Sequence, residues 1–189
     1  MDALAGVLAR LAGLLGDVGP VNAEDGHERW MLYSRAVDQF DDRRAEVLFR
    51  AVPLEPDPAI ALSLVLRVLE LVPAHERQRW TGRLAHGRNR DYAAARARDL
   101  DILRKFMNAT ASSEEYRSVA NSSQWLQLRL AWLRTDTRLL ALLQEAGSTK
   151  RIRRLAAERR KAIDPESRHS RGAQPDSVTR RSGGAARRT

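Results

Sequence analysis

The chain has 189 residues, no cysteine and a formal charge of +9, which suits one folded domain with a tail and excludes disulfides, thiolate metal sites and cysteine nucleophiles. Only Lys105, Lys150 and Lys161 are lysines, so the positive charge is almost all arginine. It is also uneven: residues 150–189 carry 13 basic and 4 acidic residues, a net of +9, whereas residues 1–149 carry 20 of each.

Residues 3–15 place Leu4, Val7, Leu8, Leu11, Leu14 and Leu15 on one stripe at helical spacing, which Gly16 ends. This stretch follows Asp2 and lacks the basic leader of an export signal. No apolar run reaches the roughly 18 residues expected of a membrane span. After the loop VGPVNAEDG a helix is predicted over 24–39, with Trp30, Tyr33 and Val37 inward, and DDRRAEVLFRAV continues as another. Asp57 and Pro58 then spell a cap and a first-turn proline. On the helix they open, Ser63, Arg67 and Glu70 form one narrow polar line and the rest is apolar, which predicts the buried centre of the fold. Pro73 stops it, and AHERQRWTGRLA makes a short partner helix. Asn89 is placed to cap a long helix reaching about Asn108, and Ser112 with Glu115 spells a capping box. Short helices are predicted near 113–121, 123–134 and 136–146, and Ser148 opens the last, STKRIRRLAAERRKAI.

No stretch shows sustained two-residue alternation, so no sheet is expected. The predicted fold class is all-α: an irregular α-solenoid or helical bundle of about 8–9 helices over residues 1–163. A disordered Arg-rich tail is expected over 164–189, where large apolar residues are almost absent.

One short pattern returns along the chain. RLAHGR, RLAWLR and RLAAER stand at 83, 129 and 154, with RLAGLL at 10. Composition alone gives roughly 0.1 copies of Arg-Leu-Ala-x-x-Arg. All three copies fall on predicted helices, and their spacing suits stacked helical units in which Leu and Ala fill the gap between layers. The segment EEYRSVANSSQWLQLRLAWLRTDTRLLALLQEAGSTKRIRRLAAERR resembles degenerate repeats of the HEAT-like α-solenoid class, and residues 40–163 do so loosely. The period is irregular and the helix over 89–108 is longer than a regular repeat would have. The resemblance implies a scaffold, so the pattern reads as architecture.

Catalytic constellations are thin. HERW at 27 and HERQRW at 75 echo each other, but adjacent residues diverge by about 100° on a helix and cannot pair His with Glu on one face. They read as first helical turns, with Trp30 and Trp80 in the core. Asp99 and Asp101 point to nearly opposite sides of their helix. Asp38, Asp41 and Asp42 share a face only if the helix runs through Phe40; with Arg43 and Arg44 directly following, a helix boundary with an Asp cap is predicted. His86 and His169 have no partners at ligand spacing, and phosphate loops and serine-nucleophile motifs are absent. No catalysis, metal or cofactor is expected.

The last helix carries an apolar stripe of Ile152, Leu155, Ala156 and Ile163, with Lys150, Arg153, Arg154, Arg160 and Lys161 fanned over the opposite side. Arg159 interrupts the stripe, so its head must reach an edge or pair with an acid. Lys150, Arg151, Arg153, Arg154, Arg160 and Lys161, with Arg168, Arg171, Arg180 and Arg181 of the tail, are candidate contacts to the phosphates of DNA or RNA. A HEAT-like fold with a basic surface is also similar, in fold alone, to the alkylpurine DNA glycosylases of that class, but a neutral body argues against that function. A scaffold that binds another protein ranks first, nucleic-acid binding second, and attachment of the N-terminal helix to a membrane surface third. The four tryptophans are expected in the core; two of them exposed on one face would become interface anchors. A cytoplasmic location is expected.

Overall fold

A computed structural model describes residues 3–16, 19–133 and 136–163; the tail expected over 164–189 lies outside the described residues. Among these the chain forms ten α-helices, two single 3₁₀ turns and no strand. The all-α prediction holds, with ten helices where about eight or nine were expected. They are α1 (Ala3–Leu15), α2 (Gly26–Asp38), α3 (Asp42–Ala51), α4 (Pro58–Leu71), α5 (Ala74–Thr81), α6 (Arg88–Met107), α7 (Ser113–Ser118), α8 (Gln124–Trp132), α9 (Thr137–Ala146) and α10 (Lys150–Ile163). The 3₁₀ turns follow α3 at Val52–Leu54 and α7 at Val119–Asn121.

Short polar side chains set most of the starts. Asp25, Asp41, Asp57 and Asp136 each accept hydrogen bonds from backbone N–H groups of the helix they open. Ser112 and Glu115 form the predicted capping box. The three aspartates near Phe40 are a helix boundary, as expected. Asp38 ends α2 and meets Arg67 at 2.6 Å, while Asp41 caps α3 and takes the Arg44 N–H at 2.8 Å.

Three boundaries differ from expectation. Gly87, at φ 121°, is the N-cap of α6, a backbone angle open to glycine; Asn89 lies inside the first turn and its amide donates to the Pro58 carbonyl. Thr149 rather than Ser148 caps α10, its hydroxyl accepting from the Ile152 N–H. The first copy of the repeated pattern is not helical until its last residue, Arg88, because α5 stops at Thr81. Arg83 there donates to the Phe49 carbonyl and Leu84 is buried, but Ala85 is exposed.

The apolar side chains form two cores. Helices α1 to α6 enclose the first, with α4 at its centre: Leu64, Val65, Val68 and Leu69 are fully buried while Ser63 and Glu70 face out. Helices α8 to α10 enclose the second around Leu126, Leu130, Leu140, Leu143 and Ile152. The long helix α6 belongs to both. Its Ala93, Ala97 and Leu100 pack in the first core, Phe106 packs in the second, and Leu103 touches both. Small side chains at 93 and 97 let α6 approach its neighbours closely. The even-numbered helices touch in order: α2 with α4, α4 with α6, α6 with α8, and α8 with α10.

One buried amide fastens the second core. The Gln127 side chain donates to the carbonyls of Val119, Ala120 and Ser122 and accepts the Ser148 N–H at 2.9 Å. It thereby satisfies backbone groups of the turn before α8 and of the α9–α10 connection. That connection also needs Gly147, where a Cβ would meet the Leu143 carbonyl at 2.5 Å and Ile152 at 2.8 Å.

Leu69→Asp is expected to abolish cooperative unfolding, because it exchanges a fully buried apolar side chain for a carboxylate at a cost of several kcal/mol, on the order of a domain's total stability. Leu66 is only half-buried, so Leu66→Asp is expected to lower the melting temperature and keep a cooperative transition. Thermal melts followed by circular dichroism check both.

Candidate interaction surface

Ionic groups inside the protein explain the HER echo. In both copies the arginine is buried and the histidine is exposed. Arg29 donates from Nε and Nη2 to the Glu55 carboxylate at 2.8–3.1 Å and from Nη1 to the Ala23 carbonyl. The Tyr33 hydroxyl donates to the same carboxylate at 3.0 Å. Burial, with help from the Glu55 charge, holds the Tyr33 hydroxyl well above its ordinary pKa. The hydrogen bonds to Glu55 raise the pKa of Arg29. Arg77 donates from Nε to the Leu69 carbonyl at 3.1 Å and from Nη1 to Asp101. Burial lowers its pKa, and neighbouring Arg104 adds to that lowering. Sequence reasoning missed these arginines because their acidic partners lie 26 and 24 residues away. The only signal was the echo itself. Among the described residues, no three His, Asp or Glu side chains converge on a point that suits a metal ion.

The last helix divides its cations between two tasks. Arg153 donates to the Gly147 carbonyl and Arg154 pairs with Glu158 at 2.8 Å. Lys150, Arg151, Arg160 and Lys161 are exposed and meet no acidic partner among the described residues. Arg168, Arg171, Arg180 and Arg181 lie outside those residues. Arg159 reaches an edge, as its place in the apolar stripe demanded, and stacks over the Trp132 ring at 4.2 Å.

That stack is one end of an arginine–tryptophan stripe. Trp80 is buried as predicted, but Trp132 is 53% exposed, and Trp30 and Trp125 are half-buried. Trp125 and Trp132 stand seven residues apart on α8, so both project from one face about 10 Å apart. Arg129 lies between them, and Arg96 of α6 covers the Trp125 ring at 3.9 Å. Helices α6 and α10 thus each send an arginine onto a tryptophan of α8. Each such contact contributes about 0.5–1 kcal/mol at an exposed site.

The charge of the body is polarised along the chain. Residues 1–81, which build most of the first core, hold 13 acidic and 9 basic residues, whereas residues 82–163 hold 18 basic and 8 acidic. Residues 1–149, neutral in total, thus divide into a stretch of net −4 and one of net +4, to which residues 150–163 add +6. At their junction a groove of about 500 Å³ opens beside the stripe, bordered by α4, α5, α6 and α8.

Glu55→Ala is expected to cost about 3–5 kcal/mol, because it strands the buried Arg29 charge. Replacing the pair together, Arg29→Met with Glu55→Leu, is expected to restore part of that loss in urea denaturation. In the same measurement Trp80→Ala is expected to cost about 3–5 kcal/mol, whereas Trp132→Ala should cost no more than about 1 kcal/mol.

Comparison with protein-family models, curated proteins and solved structures gives no match for this chain, so its own surface carries the functional argument.

Proposed function

We propose that the protein is a non-catalytic helical interaction module that binds another protein through the arginine–tryptophan stripe of α6, α8 and α10. One observation carries this reading: Trp132, more than half exposed, shares a helix face with Trp125 and is held by Arg159. Tryptophan and arginine dominate the binding energy of protein interfaces, since both offer a large rigid surface with a polar handle. A tryptophan kept at the surface is costly in water and gains most when a partner covers it. The ordered contacts between even-numbered helices support a HEAT-like reading, in which each helix pair adds a layer to a scaffold. Among the described residues, no helix is long and apolar enough to cross a membrane. The absence of cysteine suits a reducing compartment, and a cytoplasmic site of action is part of the proposal.

The second reading is nucleic-acid binding, favoured by the four exposed cations of α10 without acidic partners. Arg159 of the same helix stacks over Trp132, and aromatic rings beside cations are the usual platform for single strands.

In affinity capture from a native lysate, Trp132→Ala and Arg159→Glu are each expected to weaken retention of the partner protein about tenfold or more. Equal retention by both variants would remove the stripe as the binding surface. The nucleic-acid reading predicts binding to DNA or RNA at low ionic strength. Truncation after Asp164 removes six arginines and two acids. It should then flatten the slope of log K against log salt by up to about 5. Absence of salt-sensitive binding in the full chain would eliminate that reading.

A further inference from the structure

The groove at the junction of the two cores has a composition that the stripe alone does not explain. Its apolar lining comes from Leu100, Leu103 and Met107 of α6 and from Trp125. Met107 is 63% exposed, the largest exposure of any big apolar side chain described. Three guanidinium groups border the same space, those of Arg77, Arg104 and Arg129. Against them stands Glu70, which meets Arg129 at 3.6 Å in a bridge exposed on both sides. Such a bridge contributes little and yields readily to a better partner.

Arg77 gives the groove its direction. The residue is 2% exposed, and its Nε and Nη1 are taken by the Leu69 carbonyl and Asp101. The remaining terminal nitrogen makes no hydrogen bond among the described residues, yet it is not sealed from solvent. Arg77 is also one of the residues that border the groove. A buried guanidinium with one terminal nitrogen free, close to a second cation at Arg104, is arranged to receive an oxyanion.

Resting on the protein-binding reading above, the geometry points to this groove as the seat of an acidic peptide segment of the partner: a carboxylate beside a large aliphatic or aromatic side chain. The carboxylate accepts from the free nitrogen of Arg77 and gains from the charges of Arg104 and Arg129. The apolar neighbour covers Leu103 and Met107. A volume of about 500 Å³ holds a few side chains and falls in the range of specific pockets. A nucleobase is the poorer occupant. It needs an aromatic face to stack on, and the Trp125 face is already covered by Arg96 at 3.9 Å.

The test is selection of a random dodecapeptide phage library on the full chain, followed by fluorescence anisotropy of a selected, fluorescein-labelled peptide. Arg104 and Met107 are exposed, so Arg104→Glu and Met107→Asp should keep the wild-type melting temperature. Selected peptides are expected to place Asp or Glu next to Leu, Phe or Trp. Both variants should weaken binding about tenfold or more, as should Gln in place of the peptide acids. The assignment is overturned if no peptide is enriched, if the peptides are neutral or basic, or if both variants bind as tightly as wild type. An oligonucleotide of twenty thymidines that binds in an Arg104- and Met107-dependent manner would overturn the peptide as occupant. Peptides lost on Trp132→Ala but kept by both groove variants would remove the groove and leave the protein-binding reading standing. Groove-dependent peptides, with lysate capture indifferent to Trp132 and Arg159, would support the groove and remove the stripe.

Discussion

Everything in this protein depends on one helix serving two cores. Helix α6 is 20 residues long, about 30 Å, and its buried side chains do not stay on one side. With Ala93 set at 0° and about 100° per residue, Leu100 falls near −20°, Leu103 near −80° and Phe106 near −140°. The second core therefore sits on a different side of α6 from the first. Arg104 and Met107 return to about +20° and −40°, the side that carries Ala93 and Leu100, but lie beyond the reach of the first core. The groove and its exposed methionine follow from this. They mark the place where one face of α6 outlasts the helices that cover it.

Arginine is the abundant charged residue here, and the fold uses it as a packing material as well as a charge. Arg29 and Arg77 are buried side chains that bond to acids and carbonyls. Arg79 and Arg83 lie over Phe49, and Arg96 and Arg159 lie over tryptophans. The guanidinium is flat and weakly hydrated, so it stacks on rings at low desolvation cost, which an ammonium does not. This explains how so many cations fit on a small helical protein whose acids are concentrated in its first half.

Local features of the fold were legible in the sequence and long-range ones were not. Asp57 with Pro58, Ser112 with Glu115, and the break before Asp41 are decided within four residues, and each was read correctly. The centrality of α4 followed from its narrow polar line. Asn89 was misread because a backbone turn at Gly87 supplies the cap that a side chain seemed to offer. The first copy of the repeated pattern was misread because Gly82 ends α5 before the copy begins. The burial of Arg29 and Arg77 was hidden, since arginine is ordinarily exposed and Glu55 and Asp101 come from other elements. The exposure of Trp132 was hidden for the opposite reason: spacing places it beside Trp125, but only the position of α10 decides whether that face is covered.

The polarity of charge has a consequence for how the molecule meets others. A body whose excess of base gathers around the second core, while the charges around the first nearly balance, carries its positive charge at one end. In the field of an anionic surface it turns its basic end forward before any contact forms. The stripe lies toward that end and the groove opens beside it at the junction, so diffusion delivers them early. Encounters with acidic partners are then pre-oriented, and their rate carries the ionic-strength dependence of steered association. Basic partners are turned away from the same surface by the same field, so selection begins at a distance of about one Debye length, near 8 Å in physiological salt.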